Sequence, residues 1–112
     1  MQSGGLVKSI LQGEWERYIA GSSLPVFAEF WAPWCGPCKV MAPLVQSLAE
    51  EYGGRADFVR VNVDESPELV SKFQVFSVPT FIILIKGEPV KRFVGMATKG
   101  YVRDMLKQHL GD

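Results

Sequence analysis

Two periodicities alternate along this chain of 112 residues. Leu6, Val7 and Ile10 mark a short strand over 6–10. Trp15, Tyr18 and Ile19 then step i, i+3, i+4, the apolar stripe of a helix over 14–20. Residues 26–31 are apolar on both faces except at Glu29, the pattern of a strand covered on both sides. Met41, Leu44, Val45, Leu48, Ala49 and Tyr52 return to the helical spacing. Pro43 lies inside that helix, where its missing N–H predicts a kink. Residues 58–63 are rich in β-branched side chains and predict another strand. A helix over 67–73 follows, with Ser66 expected as its N-cap and Pro67 in its first position. Residues 81–85 and 90–94 flank a Gly-containing turn and predict a hairpin. Tyr101, Val102, Met105, Leu106 and Leu110 make a closing helix capped near Thr98.

The order β-α-β-α-β-α-β-β-α predicts an α/β domain. Its first strands are parallel because helices connect them, and the hairpin adds antiparallel strands because so short a turn cannot join parallel ones. The length predicts one domain over 1–112, with no linker or repeat inside it. A chain of this size buries roughly 65% of its unfolded surface, so it needs neither metal nor disulfide to fold.

Composition narrows the function classes. Twelve Lys and Arg balance twelve Asp and Glu, which leaves no basic surplus for nucleic acid or an anionic membrane surface. The apolar run 81–85 is five residues, far short of the ~20 a membrane helix needs. Met1-Gln2-Ser3-Gly4-Gly5 and the polar Lys8, Gln12 and Glu14 break up any signal-peptide core. The expectation is a soluble, cytoplasmic monomer.

Cys35 and Cys38 are the only cysteines, and they fall where the buried strand runs into the long helix. A helix N-terminus presents unpaired N–H groups and partial positive charge, which stabilise a thiolate. Cys35 is therefore the expected nucleophile, with a lowered pKa, and Cys38, one turn further in, the covered partner. A purely structural bond is a poor reading, because closing a four-residue loop contributes about 2 kcal/mol against about 4.7 for a hundred-residue loop. A metal site needs two further ligands, and the one histidine, His109, lies near the other end of the chain; a metal bridging two chains would need a dimer. The pair reads best as a dithiol that cycles to a disulfide.

The stretch Phe30-Trp31-Ala32-Pro33-Trp34-Cys35-Gly36-Pro37-Cys38-Lys39 resembles the active-site stretch of the thioredoxin family. Pro43, Asn62-Val63-Asp64, Val78-Pro79-Thr80-Phe81, Gly87 and Gly95 match further family positions, in order and spacing, over residues 6–110. The resemblance implies a thioredoxin fold, a central mixed five-stranded sheet flanked by four helices. It implies a thiol–disulfide oxidoreductase that reduces protein disulfides through a redox-active Cys35–Cys38 disulfide, with no other cofactor or metal. It also implies an NADPH- or ferredoxin-dependent thioredoxin reductase and disulfide-containing client proteins as partners. Carried over residue by residue, Trp34, Gly36, Pro37, Val78, Pro79 and Gly95 form an apolar docking patch. The Val78–Pro79 bond is cis, and the Val78 backbone pairs with the client chain. Trp31 packs beneath the site.

Two departures from the family pattern bear on chemistry. The buried acid is Glu29 rather than Asp, and its partner on the next strand is Arg60 rather than Lys. Glu29 with Ala32-Pro33-Trp34 is a habit of protein disulfide isomerase domains, which carry His where this chain has Pro37. Burial raises a carboxyl pKa, whereas an ion pair with Arg60 would lower it again. Glu29 is accordingly either a structural partner of Arg60 or, as the family's buried acid, the group that takes the Cys38 proton. A reductant is the favoured reading; an oxidase or isomerase module and a non-catalytic adaptor are the alternatives.

Overall fold

A computed structural model describes residues 6–110. The reading of Met1 to Gly5 falls outside the described residues. The elements are β1 (Val7–Ser9), α1 (Trp15–Gly21), β2 (Val26–Trp31), α2 (Gly36–Glu51), β3 (Asp57–Asn62), α3 (Pro67–Phe73), β4 (Thr80–Ile85), β5 (Glu88–Val94) and α4 (Lys99–Leu110). Short 3-10 turns at Gln12–Glu14 and Val63–Glu65 precede α1 and α3. The sheet order is β1-β3-β2-β4-β5. β1, β3 and β2 run parallel, and β4 and β5 are antiparallel to their neighbours. This is the five-stranded mixed sheet with four helices that the thioredoxin-fold expectation required.

The near-continuous apolar run of β2 has its physical reason in the layers. Phe27 faces a core with Met41, Val45 and Leu48 of α2 and Met105 and Leu106 of α4. Val26, Ala28 and Phe30 face the opposite core, closed by Trp15 of α1 and by Leu69 and Phe73 of α3. Successive strand residues point to opposite faces, so Glu29 shares the α2 face with Phe27 and Trp31. α2 continues as one helix through Pro43, which is exposed, so the lost N–H falls on its solvent side. α4 is tied to the end of α2 by Glu51, which accepts from Arg103 Nε and Nη2 (3.2 and 3.0 Å) and pairs with Lys99 Nζ (2.8 Å). These two cations hold the Glu51 carboxyl down to about 2.

The hairpin is longer than its pattern suggested. β5 begins at Glu88 and includes Pro89, with a register shift opposite Ile83 and Leu84. Proline is tolerated there because β5 is an edge strand and the irregularity spares the ladder a missing N–H. The expected N-cap of α4 stands: Thr98 Oγ1 accepts from the Tyr101 N–H at 3.1 Å.

The expected cap of α3 does not. Ser66 precedes α3 and is buried, but its side chain makes no capping bond. Gln12, far back in the chain, reaches across instead, its Oε1 accepting from the N–H of Glu68 (2.6 Å) and of Leu69 (3.4 Å). Those are the second and third amides of the helix, the ones an N-cap oxygen ordinarily takes. Gln12→Ala should therefore destabilise the protein by about 1 kcal/mol, read as a lower urea midpoint at unchanged m-value. An unchanged midpoint would mean that the amides are equally well satisfied by solvent.

Candidate active site

The site begins where β2 leaves the sheet. The Cys35 N–H donates to the Ala32 carbonyl at 3.1 Å, which turns the chain into α2. Cys35 is the N-cap residue, with extended backbone (φ −88°, ψ 109°), and its Sγ accepts from the Cys38 N–H at 3.1 Å. A sulfur thus occupies the place that a serine or aspartate oxygen usually takes, and in the reduced protein the same donor and the helix dipole would face a thiolate. Cys35 and Cys38 are joined in a disulfide, their Cα atoms 5.3 Å apart. Both residues are buried, Cys35 at 3% exposure and Cys38 at 1%, so the expected difference in access is small in the oxidised state.

Two loops flank the disulfide. On the α2 side, Gly36 and Pro37 are exposed in the first turn. Trp34 is 68% exposed, with its indole Nε1 donating to Asp64 Oδ2 at 3.0 Å. Asp64 is itself positioned, its N–H donating to Asn62 Oδ1 at 2.9 Å. On the other side the Val78–Pro79 peptide is cis, and Val78 packs against Ala32, Cys35 and Cys38. The Gly95 N–H donates to the Pro79 carbonyl at 2.9 Å. Gly95 sits at φ +90°, a conformation glycine takes without strain, and it is in this conformation that its N–H meets the Pro79 carbonyl.

Beneath the disulfide lies an electrostatic arrangement that differs from a plain ion pair. Glu29 is 1% exposed, and it is matched with Arg60 across β2 and β3 and with Phe81 across β2 and β4. No ion pair joins Glu29 to Arg60 among the described residues; Glu29 Oε2 and Arg60 Nε are buried without hydrogen-bond partners. The guanidinium lies instead over the Trp31 ring, 3.9 Å from its centroid. Burial dominates, pushing the Glu29 carboxyl from 4.5 up to about 7 against the opposing pull of the Arg60 charge. The reading of Glu29 as a salt-bridge partner of Arg60 is not what the geometry holds. A carboxyl balanced near neutrality can take up or release a proton under ordinary conditions.

A strand-to-helix junction carrying an N-capping disulfide, on a mixed sheet of this order, defines a thiol–disulfide oxidoreductase. The chain belongs to the thioredoxin family, whose model, described as Thioredoxin, matches residues 6–108. It is 46% identical over 82 residues to the thioredoxin of Staphylococcus haemolyticus, covering 73% of this chain and 79% of that protein. It is 34% identical over 104 residues to the chloroplastic M-type thioredoxins of Spinacia oleracea and Pisum sativum, covering 93% of this chain but only 58% and 60% of theirs. Protein-disulfide reduction is the activity that goes with this family and this cysteine pair.

Three residues near the site carried no role in the sequence reading. Asp64 was visible within Asn62-Val63-Asp64, and an Asn two residues before it is the signal of a side-chain-to-backbone turn. Arg92 donates to the carbonyls of Phe73 and Gln74, the latter at 3.2 Å, and so ties β5 to the loop that leads to Pro79. Phe76 left no periodic signal at all. A concavity of about 570 Å³ lined by Lys8, Tyr18, Leu24 and Asp57, among others, lies at the N-terminal ends of β2 and β3, the opposite end of the sheet from the cysteines. Among the described residues no helix is long and apolar enough to cross a membrane.

The Glu29 environment has a measurable consequence for stability. The folded protein keeps the Glu29 proton up to about pH 7, whereas the unfolded chain releases it near 4.5. Stability is therefore lost as pH rises between those values. Glu29→Gln removes that loss. The variant should exceed the parent by about 3 kcal/mol near pH 8, an advantage that shrinks as pH falls from about 7 and is gone below about pH 4.5. Urea unfolding of the oxidised proteins across this range checks it, and a pH-independent difference would show that Glu29 does not titrate there.

Proposed function

We propose that the protein is a cytoplasmic electron carrier that reduces the disulfides of client proteins, with distinct work for Cys35, Cys38 and Glu29. The observation that carries this reading is the Cys35 sulfur held as N-cap of α2, accepting the Cys38 N–H at 3.1 Å. In the reduced protein the Cys35 thiolate attacks one sulfur of a client disulfide. A Cys35–client bond forms, the client S–S bond breaks, and one client thiolate leaves. Cys38 then gives its proton to the Glu29 carboxylate, directly or through one water, and attacks Cys35. The Cys35–Cys38 bond forms as the second client thiolate leaves. Two electrons have passed from the pair to the client, and a thioredoxin reductase using NADPH or ferredoxin restores the dithiol.

Docking in this reading is divided between the two flanks of the disulfide. Trp34, Gly36 and Pro37 present one exposed side; on the other, half-buried Val78 and Gly95 adjoin Pro79, whose ring is buried. The Trp34–Asp64 bond supports a fixed indole rather than a free one. Trp31 and Arg60 are positioning residues: the stacked guanidinium leaves Glu29 free of a salt bridge, which supports a carboxyl that can cycle its proton.

Stopped-flow mixing of the reduced protein with a disulfide client separates the two steps. Cys35→Ser should abolish both. Cys38→Ser should retain the first and accumulate the mixed disulfide. Glu29→Gln should slow resolution by about 10²-fold while leaving attack unchanged. Equal slowing of both steps, or none, removes Glu29 from the mechanism, and preferential alkylation of Cys38 in the reduced protein reverses the cysteine roles.

A further inference from the structure

Phe76 is 90% exposed, more than any other large apolar side chain among the described residues. It is not on a loose tip. Val75 beside it is buried, Arg92 grips the carbonyls of Phe73 and Gln74, and Thr80 Oγ1 donates to the Ser77 carbonyl at 2.7 Å. The 74–79 loop is thus anchored on both sides of a phenyl ring that faces solvent. An aromatic ring held this way loses little further freedom on contact, which is what makes such side chains efficient anchors.

The ring has a cleft beside it. Gln74, Phe76, Ser77, Thr80, Arg92 and Val94 line a groove of about 380 Å³. Thr80 and Val94 are paired across β4 and β5. The next residue of each strand toward the cysteines is Pro79 and Gly95, which are hydrogen-bonded to one another. The groove therefore opens onto the Val78–Pro79 flank of the disulfide. A polypeptide that docks along that flank and continues past Pro79 and Gly95 meets it next. The groove also carries charge. The Arg92 guanidinium donates to neutral carbonyls and has no carboxylate partner among the described residues. A groove of this size suits a side chain and its neighbour.

We propose that the Phe76–Val94 groove is a specificity pocket for the client chain, selecting segments that carry a large apolar residue with an acidic neighbour close to the cysteine they present. The apolar side chain fills the space between Phe76 and Val94, and the acid meets Arg92. This rests on the docking reading above and adds to it the kind of client preferred.

The test uses three disulfide-closed peptides that differ only beside the reactive cysteine, as Leu-Glu, Ser-Glu and Leu-Lys. Hydroxyethyl disulfide, too small to reach the groove, serves as the fourth substrate. The parent should reduce the Leu-Glu peptide about tenfold faster in kcat/KM than Ser-Glu. It should favour Leu-Glu over Leu-Lys about threefold, a margin that shrinks with added salt. Phe76→Ser should erase the Leu preference, Phe76→Leu should keep most of it, and all three proteins should reduce hydroxyethyl disulfide equally. A Leu preference that survives Phe76→Ser, or is absent from the parent, overturns the proposal. So does a concentration-dependent dimer in the parent that Phe76→Ser abolishes, since the groove would then serve a second copy of this chain. Failure of the parent to turn over hydroxyethyl disulfide sinks the cysteine chemistry itself, whereas intact turnover without a Phe76-dependent preference sinks only the groove.

Discussion

The Cys38 amide pointing at the Cys35 sulfur, 3.1 Å away, is the contact around which the rest of the site is arranged. It requires α2 to start just past Cys35, and α2 starts there because β2 ends at Trp31, four residues earlier. β2 is buried on both faces, so its direction is set by two cores at once. The chain leaves the sheet at Trp31 and turns through the Ala32 carbonyl. It then delivers the first sulfur to the position where helix amides lack partners. A rigid strand and a rigid helix therefore fix the two sulfurs, while the loops only flank them.

Electrostatics beneath that junction are governed by which partner Arg60 takes. On the paired strands its side chain starts next to Glu29, and a salt bridge there would hold the carboxyl ionised. The Trp31 ring offers an alternative, a flat π-face at 3.9 Å, and the guanidinium lies on it. Glu29 is left desolvated, and burial outweighs the Arg60 charge, so its carboxyl is raised to about 7 rather than lying in the acidic range. Leaving a buried carboxyl oxygen unpartnered costs stability, and such a cost is most often found at sites that do chemistry.

The second flank is built by long-range contacts onto a loop. Arg92, in the C-terminal half of β5, and Gly95, just past its end, bind carbonyls before and after Phe76. β5 thus does more than extend the sheet: it holds the chain that packs Val78 against the disulfide. On the opposite flank Asn62 and Asp64 perform the same service for Trp34. Each exposed aromatic near the cysteines is thus held by hydrogen bonds with residues distant in sequence, Trp34 through its indole N–H and Phe76 through the carbonyls on either side of it.

Much of this was legible in the chain itself. Period-two and period-3.6 patterns are local properties, so the order of strands and helices, the burial of 26–31 and the junction at Cys35 followed from neighbouring residues alone. The same holds for the buried Glu29, because its apolar neighbours on one strand already exclude water. What local pattern could not contain was the identity of partners distant in sequence. Ser66 has the composition of a cap, yet Gln12 supplies it, because the turn before α1 lies against the start of α3. Arg60 has the charge to pair with Glu29, yet it stacks on Trp31, because a guanidinium can satisfy itself on either and only the packed geometry chooses. Phe76 belongs to no stripe, and its position beside the disulfide exists only once β4, β5 and the loop are assembled. Local sequence determined the elements and the reactive pair; the assembled sheet decided which side chains act on them, because those choices depend on distances between residues that the chain brings together only by folding.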